Sequence, residues 1–201
     1  GRLEPGVCYR LWSQSQHEQL AAYGEAEILQ ADLAGLALQL ARWGVEPSEL
    51  AWLDVPPPAA FAQARDLLAR LGALDERGVL TAHGQAMAEL PAHPRLAHML
   101  LRGQALGVAA LAADVAALLV ERDIQSGGQR GGGADLALRL HELQDGRGAR
   151  VQRVRQLARQ FRSLLRAAAA APAAELDEQH ALAALLAFAY PDRVARQRRE
   201  G

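Results

Sequence analysis

"GVLTAHGQAMAELPAHPRLAHML", residues 78–100, gathers three histidines and a Leu-Pro break into a short space. It reads either as a metal or acid–base site or as a structural joint between two units, and the spacing favours the joint. His93 and His98 are five residues apart. On a helix that separation places them roughly 140° apart, on different faces. Zinc needs converging ligands, at i and i+4 or helped by cysteines. The single cysteine, Cys8, lies far upstream. His83 sits just past a turn, and the three are expected at the surface or in the joint, with no metal bound and no catalytic role.

The pattern differs on the two sides of this joint. Upstream, Leu29, Leu33, Leu36, Leu40 and Trp43 step by four and three along one helical stripe that Gly44 stops. "DVPPP" breaks the chain, after which Phe61, Ala64, Leu68 and Leu71 predict a second helix ending at Gly72. "ALDERGVLT", residues 73–81, has short apolar ends around Asp-Glu-Arg-Gly, which is hairpin chemistry. Helix, helix, hairpin is the outline of a winged helix. Downstream of Pro91 the spacing predicts helices over 94–106, 109–122, 134–144, 149–170 and 176–189, a bundle packed through Leu, Ala and Val. At the other end "GVCYRLW", residues 6–12, alternates Val7, Tyr9 and Leu11 with Cys8, Arg10 and Trp12. That predicts a strand over 7–12, and a lone strand needs a sheet from elsewhere. The expected fold is therefore mainly α: a winged helix over 21–90, then a helical bundle over 91–201, preceded by one residual strand within 1–20.

Composition agrees with a helical protein. Half of the 201 residues are hydrophobic and only 4% aromatic, so the core rests on Leu, Ala and Val. With one cysteine there is no internal disulfide, and a reducing compartment is expected. The apolar runs are too short to span a bilayer and no leader pattern opens the chain, so a cytoplasmic protein without membrane contact is expected.

All 22 basic residues are arginine, a fixed-charge, fork-shaped donor suited to phosphate and carboxylate. The net charge of −1 hides an asymmetry. Residues 21–90 hold four arginines against ten acids, a balance of −6, and residues 139–166 hold eight arginines against Glu142 and Asp145, a balance of +6. The acidic unit is unsuited to reading DNA by itself, because a groove reader needs positive potential.

The basic helix "ARVQRVRQLARQFRSLLRA", residues 149–167, buries a stripe of Val151, Val154, Leu157, Phe161, Leu164 and Leu165. Arg155, Arg159, Arg162 and Arg166 fall within roughly 60° of one another around it. A row of guanidiniums about one turn apart suits a nucleic-acid backbone. It suits equally a solvated face, or pairing with acids of a neighbouring domain. "SGGQRGGG", residues 126–133, lacks the Gly-Lys-Ser/Thr ending of a phosphate loop and reads as a flexible linker.

These segments together resemble a known family. "GRLEPGVCYRLW" (1–12), "EAEILQADLAGLALQLARWG" (25–44) and the run "LDVPPPAAFAQARDLLARLGALDERGVLTAHGQAMAELPAHPRLAHMLL" (53–101) are similar to the region after the second motor domain of DEAH-box ATP-dependent helicases. "LVERD" (119–123) and "LLAFAYPDRVARQR" (185–198) resemble the bacterial HrpB-like branch. The resemblance spans the whole chain, and its specific part runs from the proline triplet to "LPAHPRLAHMLL".

The resemblance implies that residues 1–20 are the tail of a RecA-like motor domain, 21–90 the winged helix and 91–201 the ratchet-like bundle beside a nucleic-acid channel. It implies that Arg2 matches the last arginine of the family's sixth motif, an arginine finger on the terminal phosphates of ATP, positioned only in the intact parent. Walker A and Asp-Glu-Ala-His motifs are absent from these 201 residues. The fragment is therefore expected to bind no cofactor and to be inactive alone, with ATP and Mg belonging to a parent helicase. The implied role is accessory: guiding single-stranded nucleic acid, RNA rather than DNA, and coupling closure of the motor domains to strand movement. The alternative from another class is an interaction scaffold that docks motor or partner proteins without touching nucleic acid.

Overall fold

The computed structural model describes residues 3–21, 24–121, 135–165 and 176–195. Among these the helices are α1 (Gln14–Glu18), α2 (Ala34–Trp43), α3 (Pro58–Arg70), α4 (Ala82–Ala88), α5 (Pro94–Ala105), α6 (Ala109–Val120), α7 (Leu136–Asp145), α8 (Ala149–Leu165) and α9 (Glu178–Ala189). Short 3-10 turns occur at Glu27–Leu29, Pro47–Glu49 and Pro191–Arg193. The fold is mainly helical, as expected.

Local chemistry sets the boundaries in the first half. The Asp32 carboxylate accepts from the Ala34 amide at 2.8 Å, so α2 starts there rather than at Leu29, which stays outside the helix. Gly44 ends α2 at φ +77°, a conformation that strains any residue with a Cβ. α3 begins on the proline triplet and ends where Gly72 turns left-handed at φ +69°. The hairpin forms, but only as a single antiparallel bridge between Leu74 and Leu80. Asp75 Oδ1 accepts from the amides of Arg77 and Val79 at 2.9 and 2.8 Å, which shapes the turn. The wing goes no further because Thr81 leaves it to cap α4, a helix the sequence pattern did not reveal. Its hydroxyl accepts from the Gly84 amide at 2.9 Å and donates to the Gly72 carbonyl at 2.7 Å.

Two hydrophobic clusters result. One joins α2, α3 and α4 through Leu38, Leu40, Phe61, Leu68, Leu71 and Met87. The other surrounds α6 with α5, α7, α8 and α9. α5 serves both, because Ala97 faces the first while Leu96, Met99 and Leu100 face the second. The joint expected around residues 78–100 is thus a helix with two apolar faces. α6 is buried nearly all round, and its alanines allow close approach. A Cβ added at Gly103 of α5 would lie 2.6 Å from the Ala112 Cβ of α6.

Two further expectations need correction. Residues 5–11 carry no regular structure, and Val7 and Leu11 are 82% and 93% exposed, so no strand forms at 7–12. An extended segment without a ladder partner gains nothing to offset its ordering. On α8, Ala158 is buried where Leu164 was expected, and Leu164 is exposed. The whole glycine-rich run at 126–133, with Arg2 and Arg166, lies outside the described residues.

Candidate nucleic-acid interface

α8 carries the basic row, and the structure divides it. Arg155 is half-buried, with Nε donating 2.9 Å to the Leu143 carbonyl and an Nη donating 2.8 Å to that of Gln144. It closes the C-terminus of α7, where backbone carbonyls lack helical partners. Arg162 is half-buried and ion-paired with Asp114 in the middle of α6. Burial raises the Asp114 carboxyl above its ordinary range, and the Arg162 charge only partly offsets that. Arg162 Nε itself is buried without a hydrogen-bond partner. Arg159 lies between these two and is exposed.

Other exposed guanidiniums near the start of α8 were not singled out by spacing: Arg147, Arg150 and Arg153. Arg150 and Arg153 fall on a different side of the helix from Arg159, across the buried stripe, and Arg147 precedes the first turn. Their signal in the sequence is the +6 balance of 139–166, which a single helical stripe does not capture.

Arginine performs the same structural task elsewhere. Arg139 donates to the carbonyls of Leu118 and Glu121 at 2.7 and 2.9 Å, closing the end of α6. Arg42 reaches the Ala88 carbonyl at 3.2 Å at the end of α4, and Arg95 the Ala189 carbonyl at 3.1 Å at the end of α9. Arg95 also grips Asp192 with both terminal nitrogens, at 2.5 and 3.0 Å, and holds its carboxyl down at about 2. Arg42, Arg95, Arg139 and Arg155 thus each close a helix C-terminus, where a fork of donors meets orphan carbonyls.

The three histidines take two different parts at the joint, one capping a helix and two meeting each other. His93 caps α5 through Nδ1, which accepts from the Arg95 amide at 3.3 Å, while Nε2 faces Asp32 at 3.2 Å. His83 and His98, fifteen positions apart, meet with Nε2 and Nδ1 separated by 2.8 Å. Among the described residues no group of three or more His, Cys, Asp or Glu side chains is arranged to hold a metal. No helix of the described residues is long and apolar enough to cross a membrane.

A family model for the helicase-associated (HA2) winged-helix domain matches residues 64–92. The chain is 40% identical over 200 residues to the ATP-dependent RNA helicase HrpB of Escherichia coli (strain K12), across 98% of this chain and 22% of that protein. Two solved structures of E. coli HrpB superpose on it. One, described as a DEAH/RHA helicase, does so with a TM-score of 0.72 at 37% identity, over 100% of this chain and 23% of that one. The other, described as a DExH-box NTPase, gives 0.68 at 37% identity, over 98% and 22%. The chain thus spans about a fifth of the length of the relatives it matches.

Proposed function

This chain belongs to the HrpB-like DEAH-box helicases, and we propose that it is the accessory C-terminal region of an ATP-dependent RNA helicase. In this reading it guides single-stranded nucleic acid and transmits closure of the motor domains to the strand. The end-to-end similarity to HrpB carries the reading, since both the HA2 winged helix and the helices after it take part. Residues 21–90 are taken as the winged helix, 91–201 as the ratchet-like bundle and 1–20 as the tail of a RecA-like motor domain. ATP and Mg act in the parent, where Arg2 would approach the nucleotide phosphates.

Nucleic-acid contact is assigned to the basic helix, with RNA preferred over DNA. Of Arg155, Arg159, Arg162 and Arg166, the exposed Arg159 suits backbone phosphate best, because Arg155 and Arg162 would have to leave internal partners to reach it. Exposed Arg147, Arg150 and Arg153 supplement it. The test is filter binding of single-stranded RNA at several salt concentrations. Four phosphate contacts give a log–log salt slope of about −3 for a single strand. Replacing Arg147, Arg150, Arg153 and Arg159 together by Gln should flatten that slope while leaving the melting temperature unchanged. Unchanged affinity in this variant would remove the assignment.

The scaffold reading has one observation in its favour. Leu3, Val7, Tyr9 and Leu11 are all more than four-fifths exposed, an apolar row that a neighbouring domain would cover. It expects a stable complex with the RecA-like motor domains and no RNA retention, so the same titration separates the two.

A further inference from the structure

His83 stands on α4 and His98 on α5, so their contact crosses the seam between the two hydrophobic clusters. Both rings are half-buried and meet edge-on, with centroids 4.9 Å apart and planes at 87°. The His98 ring also stands edge-on to Phe188 of α9 at 6.1 Å. One residue of α5 thereby meets both α4 and α9.

A bond between two ring nitrogens needs one N–H and one lone pair. The pair can hold when both rings are neutral and when one of them carries an extra proton, because the other still offers a lone pair. Two imidazoliums would set N–H against N–H.

We propose that the His83–His98 pair is a proton-operated latch: while at least one ring is neutral it fastens α4 to α5, and protonation of both rings releases them. The reading is independent of any nucleic-acid contact. The surroundings oppose the extra proton. Burial lowers His98 to about 4, with His83 and Arg102 adding to it. Burial and Arg102 also lower His83. Arg102, on α5 itself, lies over the Phe188 ring at 5.1 Å, and α9 presents that ring toward His98. The first proton leaves one lone pair between the rings and the bond survives, so the second proton is the one that switches.

The sign follows from linkage. With the latch open, His98 titrates near 6.5, and with it closed at about 4. Above the higher value the proton favours neither state. As pH falls between the two, the open form gains by up to about tenfold per pH unit.

The test uses the whole chain, with imidazole titration by NMR and segment-resolved hydrogen exchange from pH 7.5 to 4.5, corrected for intrinsic rates. His98 should take its proton below pH 5. Protection over 79–90 should fall faster than protection over α6 and α8. His98→Gln keeps a donor and an acceptor but does not titrate, and should abolish that difference. A His98 titration near 6.5 overturns the proposal, as does parallel loss of protection in both clusters or an unchanged pH profile in His98→Gln. The first two readouts need only the wild-type protein, so they decide even where the variant does not fold.

Discussion

The Nε of Arg155 donates to the carbonyl of Leu143 at 2.9 Å, and this bond turns a side chain that reads as a phosphate contact into part of α7. The guanidinium plane is held by a second bond to Gln144, so rotating it outward would strip two donors from the end of a helix. A positively charged residue at that place also complements the partial negative charge of the terminus.

Arg155→Ala should therefore destabilise the protein, by about 1–2 kcal/mol for the lost charge-assisted bonds. Arg155→Lys should recover only part, because an ammonium cannot meet two carbonyls in one plane. Thermal melts of the two variants check this. Full stability in Arg155→Ala would show the bonds to be dispensable.

Asp114 and Arg162 should behave as a pair. Removing Arg162 leaves a carboxylate with burial and no counter-charge, so its affinity for protons rises further. Arg162→Ala should cost about 1–3 kcal/mol at pH 7, discounted because the guanidinium is partly solvated. The loss should shrink when Asp114→Asn is added, since a neutral amide needs no partner charge. A double-mutant cycle measured by denaturant unfolding reads the coupling, and strict additivity would deny it.

Close packing, against backbone at one site and side chains at the other, makes two glycines sensitive to a single methyl group. At Gly84 of α4 a Cβ would lie 2.2 Å from the Ala73 carbonyl oxygen, and at Gly103 it would meet Ala112 and Leu185 at 2.6 and 2.9 Å. Each Gly→Ala change should cost about 1–3 kcal/mol as overpacking, despite the better helix propensity of alanine. Gly35 of α2, with open space around it, serves as the control and should gain slightly on the same substitution. Unfolding curves in urea would expose a wrong sign at any of the three.

Asp192 sets an acid limit for the end of α9. Its hydrogen bonds to Arg95 hold the folded-state carboxyl at about 2, below its ordinary 3.8. The contribution is present above pH 3.8 and fades as pH falls toward 2. The melting temperature of Asp192→Asn should lie below that of the wild type at pH 6 and converge with it by about pH 2. A gap that persists at low pH would mean the carboxylate charge is not what counts.

Much of this fold was legible beforehand. The helices of the bundle, the end of α3 at Gly72 and the hairpin around Asp75–Gly78 follow from apolar spacing and turn chemistry within a dozen residues. α4 escaped notice because seven residues give too little periodicity, and its cap, Thr81, also reads as the last residue of a hairpin. The strand over 7–12 has the right alternation yet does not form, because pairing requires a second strand that alternation alone does not supply.

From sequence come the helix content, the charge asymmetry between 21–90 and 139–166, and the kinship with HrpB-like helicases, since all three are properties of order along the chain. Tertiary structure alone decides which arginines remain available and which histidines meet. Helical periodicity tells in which direction Arg155, Arg159 and Arg162 leave their axis, but not whether an orphan carbonyl, a carboxylate or water stands opposite. His83 and His98 are likewise partners only because α4 folds back against α5 across the seam between two cores.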